Sequence, residues 1–217
     1  MTMLVLAAHP DDETLGAGGT IAAARERGER VHVAVFCSPQ RADVASEPAA
    51  AAKAAELRAA MAELDCTFEC YGLPDQGLDT TPLIDLSRAI ERTARAITPD
   101  HVLTHFAGDV NQDHRRIAEA TQVAFRAVPG GTVRRIEAYY VPSSTEWGQA
   151  AFFPTVFRSL SPGQVDRKLA AMRRYASELR PPPHPRSEHG IRAALAYFGS
   201  CVGVEFAEPF VLLRQIG

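Results

Sequence analysis

Residues 3–19, MLVLAAHPDDETLGAGG, decide how this chain folds. They open with the short apolar run Met3–Ala7, which is typical of a strand buried on both faces of a sheet. A polar turn follows at His9–Glu13, and a Gly- and Ala-rich stretch from about Glu13 to Arg27 is predicted to be helical. A strand followed by a turn and a helix is the start of a βαβ unit, from which parallel sheets are built.

The same alternation continues along the chain. Further strands are predicted at Val31–Phe36, Thr67–Tyr71, His101–Thr104 and Ile136–Val141, with helices at Pro48–Leu64, Leu83–Ile97 and Asp113–Ala127. Less regular elements are a turn at 73–77, a loop with one short strand at 142–161, a helix at 162–179, a rigid extended segment at 181–185, a short helix at 190–197 and an apolar tail at 210–213. Because right-handed crossovers place helices on both faces of such a sheet, we predict a Rossmann-like three-layer α/β/α sandwich with a mainly parallel sheet. No linker or repeat divides the chain, so residues 1–217 are expected to form one domain.

Composition narrows the choice of partners. The chain has 217 residues, 46% of them hydrophobic, and a formal net charge of −3. Without a basic stripe, nucleic acid is not an expected partner, and no apolar stretch approaches the roughly 20 residues that span a bilayer. The first residues lack a basic leader and the four cysteines show no disulfide framework, so we expect a cytoplasmic protein. The sequence allows a homo-oligomer without fixing its size.

Chemically useful side chains are concentrated at two places. One is the segment 9–13, after the first strand, and the other is 108–115 (GDVNQDHR), after the fourth. Each segment alone is also explained by helix capping, since acidic side chains satisfy the free N–H groups at a helix start. Because parallel strands end at one sheet edge, where ligands of open α/β folds bind, the two segments are expected to meet. Two histidines with nearby carboxylates at one edge favour a metal site, since catalytic zinc commonly takes three N/O ligands and one water.

Several motifs resemble one family, the LmbE-like (PIG-L) N-acetylglucosaminyl deacetylases. HPDDE at 9–13 followed by GAGG at 16–19 is similar to the opening motif of that family, and NQDHR at 111–115 resembles its second motif, usually His-x-Asp-His. Weaker support comes from Lys53-x-x-Glu56, Pro74-Asp75 and AEPF at 207–210. The resemblance extends over nearly the whole chain.

This resemblance implies roles for individual residues in the two motifs. His9, Asp12 and His114 would hold Zn²⁺, although His/Asp sites also accept other divalent metals. Asp11 would be the general base, and Asp113 would orient neighbouring groups.

The second motif departs from the family at Asn111. Family members with histidine there are thought to use it to stabilise the oxyanion, and an asparagine donates a hydrogen bond but carries no positive charge. Three other histidines are candidates for that role, namely His105, His184 and His189. We favour His184, because a rigid proline-rich segment leads to it.

Candidate substrate-binding residues are less well defined. Asp75 and Asp109 are expected at the same sheet edge, where Asp75 would accept hydrogen bonds from sugar hydroxyls. Lys53 is a candidate for a hydroxyl or phosphate, and Arg186 for a phosphate or nucleotide group. The only tryptophan, Trp147, is a candidate for stacking on a sugar face. An ordinary turn or surface role is the alternative for these residues, and for Trp147 it is the favoured one.

Together these features predict a zinc-dependent hydrolase that removes the acetyl group from an amine of a sugar or sugar conjugate. A first alternative is an amidase of the same fold with another N-acyl substrate, because family resemblance transfers reaction type better than substrate. A second is a structural metal site, although structural zinc usually has four closed ligands. A third is a dinucleotide-binding protein, but the Gly-x-Gly-x-x-Gly spacing fails because position 21 is Ile21.

Overall fold

The computed structural model describes residues 1–41, 47–148 and 150–217, with the backbone alone at residues 39–41 and 47–50. In these ranges the strands are β1 (Thr2–Ala7), β2 (Arg30–Arg41), β3 (Thr67–Asp75), β4 (His101–His105), β5 (Arg135–Tyr139), β6 (Val156–Leu160) and β7 (Phe206–Gln215). The α-helices are α1 (Asp12–Glu26), α2 (Glu47–Glu63), α3 (Leu83–Ile97), α4 (Gln112–Ala124), α5 (Pro162–Arg174) and α6 (Glu188–Ser200). Short 3₁₀ turns lie at Leu78–Thr80 and Thr145–Trp147.

The strands form one mixed sheet in the order β3-β2-β1-β4-β5-β7-β6. The first five strands along this order are parallel, and β7 runs antiparallel to both of its neighbours. The chain order reverses between β1 and β4, and the crevice at such a switch point is where open α/β sheets bind ligands. The predicted α/β sandwich with a mainly parallel sheet is confirmed.

Strand β1 forms the centre of the core and is buried along its whole length. Met3 and Val5 pack into the cluster beneath α1, α2, α5 and α6, whereas Leu4 and Leu6 pack into the cluster beneath α3 and α4. Each such side chain contributes roughly 1.5–3 kcal/mol through burial. The carboxyl end of β1 is therefore held rigidly, and so is the turn that follows it.

Strand β3 is longer than predicted, because the expected turn at 73–77 begins inside the strand. Its backbone continues to pair with β2 beyond a register shift, with Leu73 opposite Cys37 and Asp75 opposite Arg41. This extension carries Asp75 to the edge of the sheet near the end of β1.

The segment after α5 also differs from the prediction, because the helix ends at Arg174 instead of continuing to 179. Tyr175 leaves the helix and donates its hydroxyl hydrogen to Glu13 Oε1 at 2.8 Å. Ser177 then turns towards α2, where its N–H and its hydroxyl bond to the carboxylate of Glu56 at 3.1 and 2.7 Å.

The proline-rich segment is folded into turns and is not an extended rod. The N–H of His184 donates to the carbonyl of Pro181 at 3.2 Å, and the N–H of Ser187 donates to the carbonyl of His184 at 2.9 Å. Because of these turns, the Arg186 side chain points back towards the sheet edge.

The chain's closing motif contacts its opening motif. Glu208, on β7, accepts hydrogen bonds from the backbone N–H groups of Gly19 and Thr20 at 2.9 and 2.7 Å. Lys168, on α5, donates to Glu208 Oε1 at 2.6 Å and to the carbonyl of Leu15 at 2.7 Å. Both charged side chains are buried, so a buried ion pair is bonded to the middle of α1.

Two glycines allow α1 to pack this closely. A Cβ atom on Gly16 would lie 2.2 Å from Tyr139 Cδ2, and one on Gly19 would lie 2.3 Å from Leu160 Cδ1. These glycines pack against side chains and do not form the phosphate cradle of a dinucleotide-binding turn.

Within the described ranges, no helix combines the length and the hydropathy that crossing a membrane requires.

Candidate active site

The turn after β1 places Asp11 in an uncommon backbone conformation. Its φ of 113° and ψ of −28° lie in the left-handed region, which typically costs about 1–3 kcal/mol for a non-glycine residue. Although Asp11 precedes the first residue of α1, its side chain makes no capping hydrogen bond. The carboxylate instead lines a cleft at the sheet edge and lies 3.0 Å from Arg186 Nη1. Capping therefore does not explain this carboxylate.

The two motifs meet at Asp12. Its Oδ2 lies 3.2 Å from His9 Nδ1 and 3.3 Å from His114 Nε2. The three residues each offer a donor atom, all within 4.8 Å of one another, so this cluster can hold a metal ion. Two ring nitrogens and a carboxylate oxygen match the three-ligand set of a catalytic zinc.

The opposite nitrogens of the two rings are held by other carboxylates. His9 Nε2 lies 3.1 Å from both Asp113 Oδ2 and Asp75 Oδ1, and His114 Nδ1 lies 3.2 Å from Asp109 Oδ1. Such carboxylate partners fix the orientation of a ligating histidine and increase its basicity. Each ring is thereby left with one nitrogen for the centre of the cluster.

Asp113 also fixes the loop after β3. It accepts the N–H of Gln76 at 2.8 Å and that of Leu78 at 3.0 Å, while the Cys37 thiol donates to it at 3.5 Å. Cys37, His9 and Asp113 form a second group of potential ligands. Burial raises the pKa of the Cys37 thiol to about 11, however, so it keeps its proton and acts as a donor at neutral pH.

Asp109, assigned above to substrate binding, instead lies buried behind His114 and does not line the cleft. It accepts hydrogen bonds from Thr145 Oγ1 at 2.6 Å and from the Ser144 hydroxyl. Burial alone would raise the pKa of Asp109, but the hydrogen bonds from His114, Ser144 and Thr145 lower it to about 2. Its ionised carboxylate is thus committed to orienting His114.

Asn111 is the N-cap of α4, and its side chain accepts the N–H of Asp113 at 2.9 Å. It also lines the cleft. With its carbonyl oxygen used by the cap, only the side-chain NH₂ is left as a donor to a substrate.

His184 does not line the cleft. Its Nδ1 accepts the backbone N–H of Arg186 at 3.1 Å, so it stabilises the turn that carries that arginine. His105 is fully buried behind the cluster, where its ring stacks on His114 with centroids 4.0 Å apart. Its Nε2 accepts the N–H of Ala8 at 2.8 Å, and burial lowers the pKa of His105 well below its usual value. A neutral ring in this position supports His114 and does not reach the cleft.

The cleft has a volume of about 150 Å³ and a strongly polar lining. Three candidate substrate-binding residues, Lys53, Asp75 and Arg186, line it together with Glu178. Lys53 Nζ lies 2.6 Å from Glu178 Oε1, which ties α2 to the segment after α5.

A second, wider groove of about 420 Å³ adjoins the cleft and shares Gln76, Asn111 and Arg186 with it. Trp147 lines this groove and is 61% exposed, so its indole face is accessible at the rim.

The electrostatics of Asp11 reflect its burial. Burial raises the pKa of this carboxyl well above its usual range, the Arg186 guanidinium partly offsets the rise, and the neighbouring Asp12 adds to it. A carboxyl with a raised pKa is a better proton acceptor than an exposed aspartate.

The fold and this cluster define a Rossmann-like α/β protein with a candidate metal centre at the switch point of its sheet. The sequence model of the PIG-L family, described as GlcNAc-PI de-N-acetylase, matches residues 4–125, which include both motifs. The chain belongs to the PIG-L family of deacetylases.

Individual relatives agree with this placement. An Escherichia coli (strain K12) protein described as uncharacterized deacetylase YaiS is 27% identical over 180 residues, covering 81% of this chain and 90% of YaiS. The conserved protein TT1542 of Thermus thermophilus superimposes with a TM-score of 0.80 at 25% identity, covering 99% of this chain and 96% of TT1542.

Two more distant structures show the same fold. The N,N'-diacetylchitobiose deacetylase of Pyrococcus horikoshii has a TM-score of 0.78 at 20% identity, covering 98% of this chain and 84% of that protein. GalB of Pseudomonas putida KT2440, a 4-carboxy-2-hydroxymuconate hydratase, has a TM-score of 0.75 at 22% identity, covering 100% of this chain and 97% of GalB. Since a hydratase shares the fold, the reaction must be argued from the site.

Proposed function

We propose that this protein is a zinc-dependent N-deacetylase that hydrolyses the N-acetyl amide of an amino sugar or sugar conjugate to a free amine and acetate. The observation that carries this proposal is the His9/Asp12/His114 cluster, of which His9 and Asp12 line the same cleft as the Asp11 carboxylate. The deacetylase names of YaiS and of the Pyrococcus protein support the reaction, and the diacetylchitobiose substrate of the latter supports a sugar.

His9, Asp12 and His114 would hold the metal ion, with the carboxylates behind the two rings keeping them in place. When bound, Zn²⁺ supplies a Lewis acid that polarises a carbonyl group and makes water more acidic. Other divalent metals fit the same ligands, so the identity of the metal is part of the test.

Asp11 takes the proton of the attacking water. As its carboxylate accepts this proton, the water oxygen bonds to the amide carbon and the carbonyl electron pair moves onto the carbonyl oxygen. The C–N bond then breaks as the carbonyl re-forms, and Asp11 returns the proton to the departing nitrogen, so that amine and acetic acid result. The acid then releases its remaining proton to solvent and leaves as acetate. General acid–base assistance of this kind is typically worth roughly 10²–10⁴-fold in rate.

Asp75 and Lys53 would contact the sugar. One oxygen of Asp75 is occupied by His9, and the carboxylate is still 18% exposed, which leaves an acceptor for a hydroxyl group. The Lys53 side chain is 38% exposed, and its ammonium group lies beside Glu178 at the same cleft. These contacts are suited to a hydroxyl-rich ligand.

The experiment compares metal content and acetate release in three variants. We expect Asp11→Asn to retain the metal and lose at least about 10²-fold in kcat, because an amide cannot accept the proton. His9→Ala is expected to lose metal and activity together. Asp85→Asn, an exposed acid on α3, is the matched control and should behave like the wild type.

Acetate release is measured on a panel of N-acylated amino sugars and sugar conjugates that differ in acyl group and sugar. An Asp11→Asn variant with normal turnover would exclude Asp11 as the base. Release of another acid in preference to acetate would instead identify an amidase of different acyl specificity.

A further inference from the structure

The cleft is rich in negative charge. Asp11, Asp12, Asp75, Glu56 and Glu178 all line it. Hydrolysis of an amide places one more negative charge there, on the carbonyl oxygen. Preorganised positive groups facing that oxygen are usually the largest single contribution to catalysis. Asn111 cannot supply a charge, and its carbonyl oxygen is already used to cap α4.

Among the side chains that the structure describes, two with a permanent positive charge line the cleft, Lys53 and Arg186. Lys53 bonds to Glu178. Burial alone would raise the pKa of Asp75, but its hydrogen bond with His9 and the nearby charge of Lys53 lower it. Arg186 is the basic residue that contacts the proposed base, with Nη1 at 3.0 Å from Asp11 Oδ2.

The Arg186 guanidinium is held firmly from behind. Its Nε donates to Ser143 Oγ at 2.7 Å, and its Nη1 also lies 3.4 Å from Glu178 Oε2. Its side chain is 23% exposed, on the cleft side of the turn that His184 stabilises. In the described part of the chain these hydrogen bonds use Nε and Nη1, so the two hydrogens of Nη2 are left to bind another acceptor.

We propose, on the basis of the deacetylase function above, that Arg186 is the catalytic cation that stabilises the oxyanion. Before attack, the guanidinium pairs with the Asp11 carboxylate. When Asp11 accepts the proton from water, its negative charge is neutralised while an equal charge appears on the carbonyl oxygen. Arg186 then pairs with that oxygen, and the reverse exchange occurs when the C–N bond breaks and Asp11 gives up its proton. The net charge around Arg186 therefore stays constant throughout the reaction.

The test uses steady-state kinetics of the metal-loaded enzyme on the substrate with the fastest acetate release. We expect Arg186→Ala to lower kcat by roughly 10²–10³-fold, with little change in KM and unchanged metal content, because the lost interaction forms in the transition state. Added guanidinium ion should restore part of the lost kcat in Arg186→Ala and have no such effect on the wild type. Arg186→Lys should retain more activity than Arg186→Ala.

The matched control is Arg173→Ala, which removes an exposed arginine paired with Glu188 on α6 and should leave both constants unchanged. A rise in KM at constant kcat would overturn the proposal, since it would make Arg186 a substrate anchor. A loss of kcat that guanidinium ion does not restore would also overturn it, since it would indicate a structural role.

The two proposals fail in different ways. If the wild type releases no acetate from any substrate of the panel, the proposed deacetylase function is wrong, and so is the proposed role of Arg186 in stabilising the oxyanion. If the wild type and Asp11→Asn behave as expected while Arg186→Ala retains full kcat, only the role of Arg186 is wrong.

Discussion

Replacing Glu208 with glutamine should destabilise the protein severely, although Glu208 lies outside the cleft. In the wild type each carboxylate oxygen accepts a backbone N–H of α1, and Oε1 also accepts Lys168 Nζ. The variant keeps the shape of the side chain. It places an NH₂ group where an acceptor is needed and leaves the Lys168 charge, only 3% exposed, without its counterion.

The magnitude follows from this geometry. Breaking a buried ion pair by removing one partner typically costs about 3–5 kcal/mol. The total free energy of unfolding of a domain is only about 5–15 kcal/mol. For a chain of this length, each kcal/mol lowers Tm by roughly 2–4 °C. We therefore expect Glu208→Gln to lower Tm by roughly 6–20 °C.

Urea unfolding followed by circular dichroism measures the loss in free energy of unfolding, and thermal unfolding measures the fall in Tm, with Glu188→Gln as the control. Glu188 pairs with Arg173 on the surface, and an exposed pair contributes only about 0–1 kcal/mol. The double variant Lys168→Met/Glu208→Gln should be more stable than the sum of the two single changes predicts, because it leaves no unpaired charge. A loss below about 1 kcal/mol in Glu208→Gln, equal to the surface control, would refute the reasoning.

Three further predictions concern other parts of the molecule. Gly16→Ala should lower metal affinity and Tm together, because its Cβ would displace the Tyr139 ring, which contacts His105 behind the candidate metal ligands. Titration with Zn²⁺ and thermal unfolding measure the two effects. Burial alone would raise the pKa of Glu137, but its hydrogen bond from His101 and two nearby guanidinium groups lower this pKa from 4.5 to about 2. The ionised form of Glu137 therefore stabilises the fold above pH 4.5, and this stabilisation is lost as pH falls towards 2. Glu137→Gln should therefore cost at most roughly 3 kcal/mol at pH 7 and much less near pH 2, which urea unfolding at several pH values measures. Trp147→Ala should raise KM by about fivefold for substrates with a second ring and leave single-ring substrates unaffected, since ring stacking is worth about 1 kcal/mol.

The sheet and the meeting of the two motifs could be predicted because they depend on local patterns. Short apolar runs alternating with amphipathic helices specify a parallel sheet, and parallel strands deliver their following loops to one edge. His9 and His114 therefore lie close together although they are far apart in the chain, with ring centroids 5.3 Å apart.

The sequence could not predict which acidic residue orients a histidine and which one faces the cleft. Asp109 orients His114 because the hydroxyls of Ser144 and Thr145 meet it, and those hydroxyls belong to an irregular segment whose path has no periodicity to predict it. Arg186 reaches Asp11 because the proline-rich segment turns back, whereas proline content alone favoured an extended chain.

The contact of Glu208 with α1 could not be predicted from the sequence for a different reason. Its carboxylate bonds to backbone groups almost 190 positions earlier, and neither partner shows a pattern that identifies the other. Only the resemblance of AEPF at 207–210 to a family ending hinted that the residue mattered.

This bond between β7 and α1 has a consequence for biosynthesis. The helix that begins at Asp12 can bond to Glu208 only after Glu208 has left the ribosome. A nascent chain stalled before Phe206 therefore has both motifs of the candidate metal site and still lacks strand β7, which holds this helix in place. Cation binding should then be a late event in the maturation of the polypeptide, and the translated length at which it first occurs marks the point where β7 contacts α1.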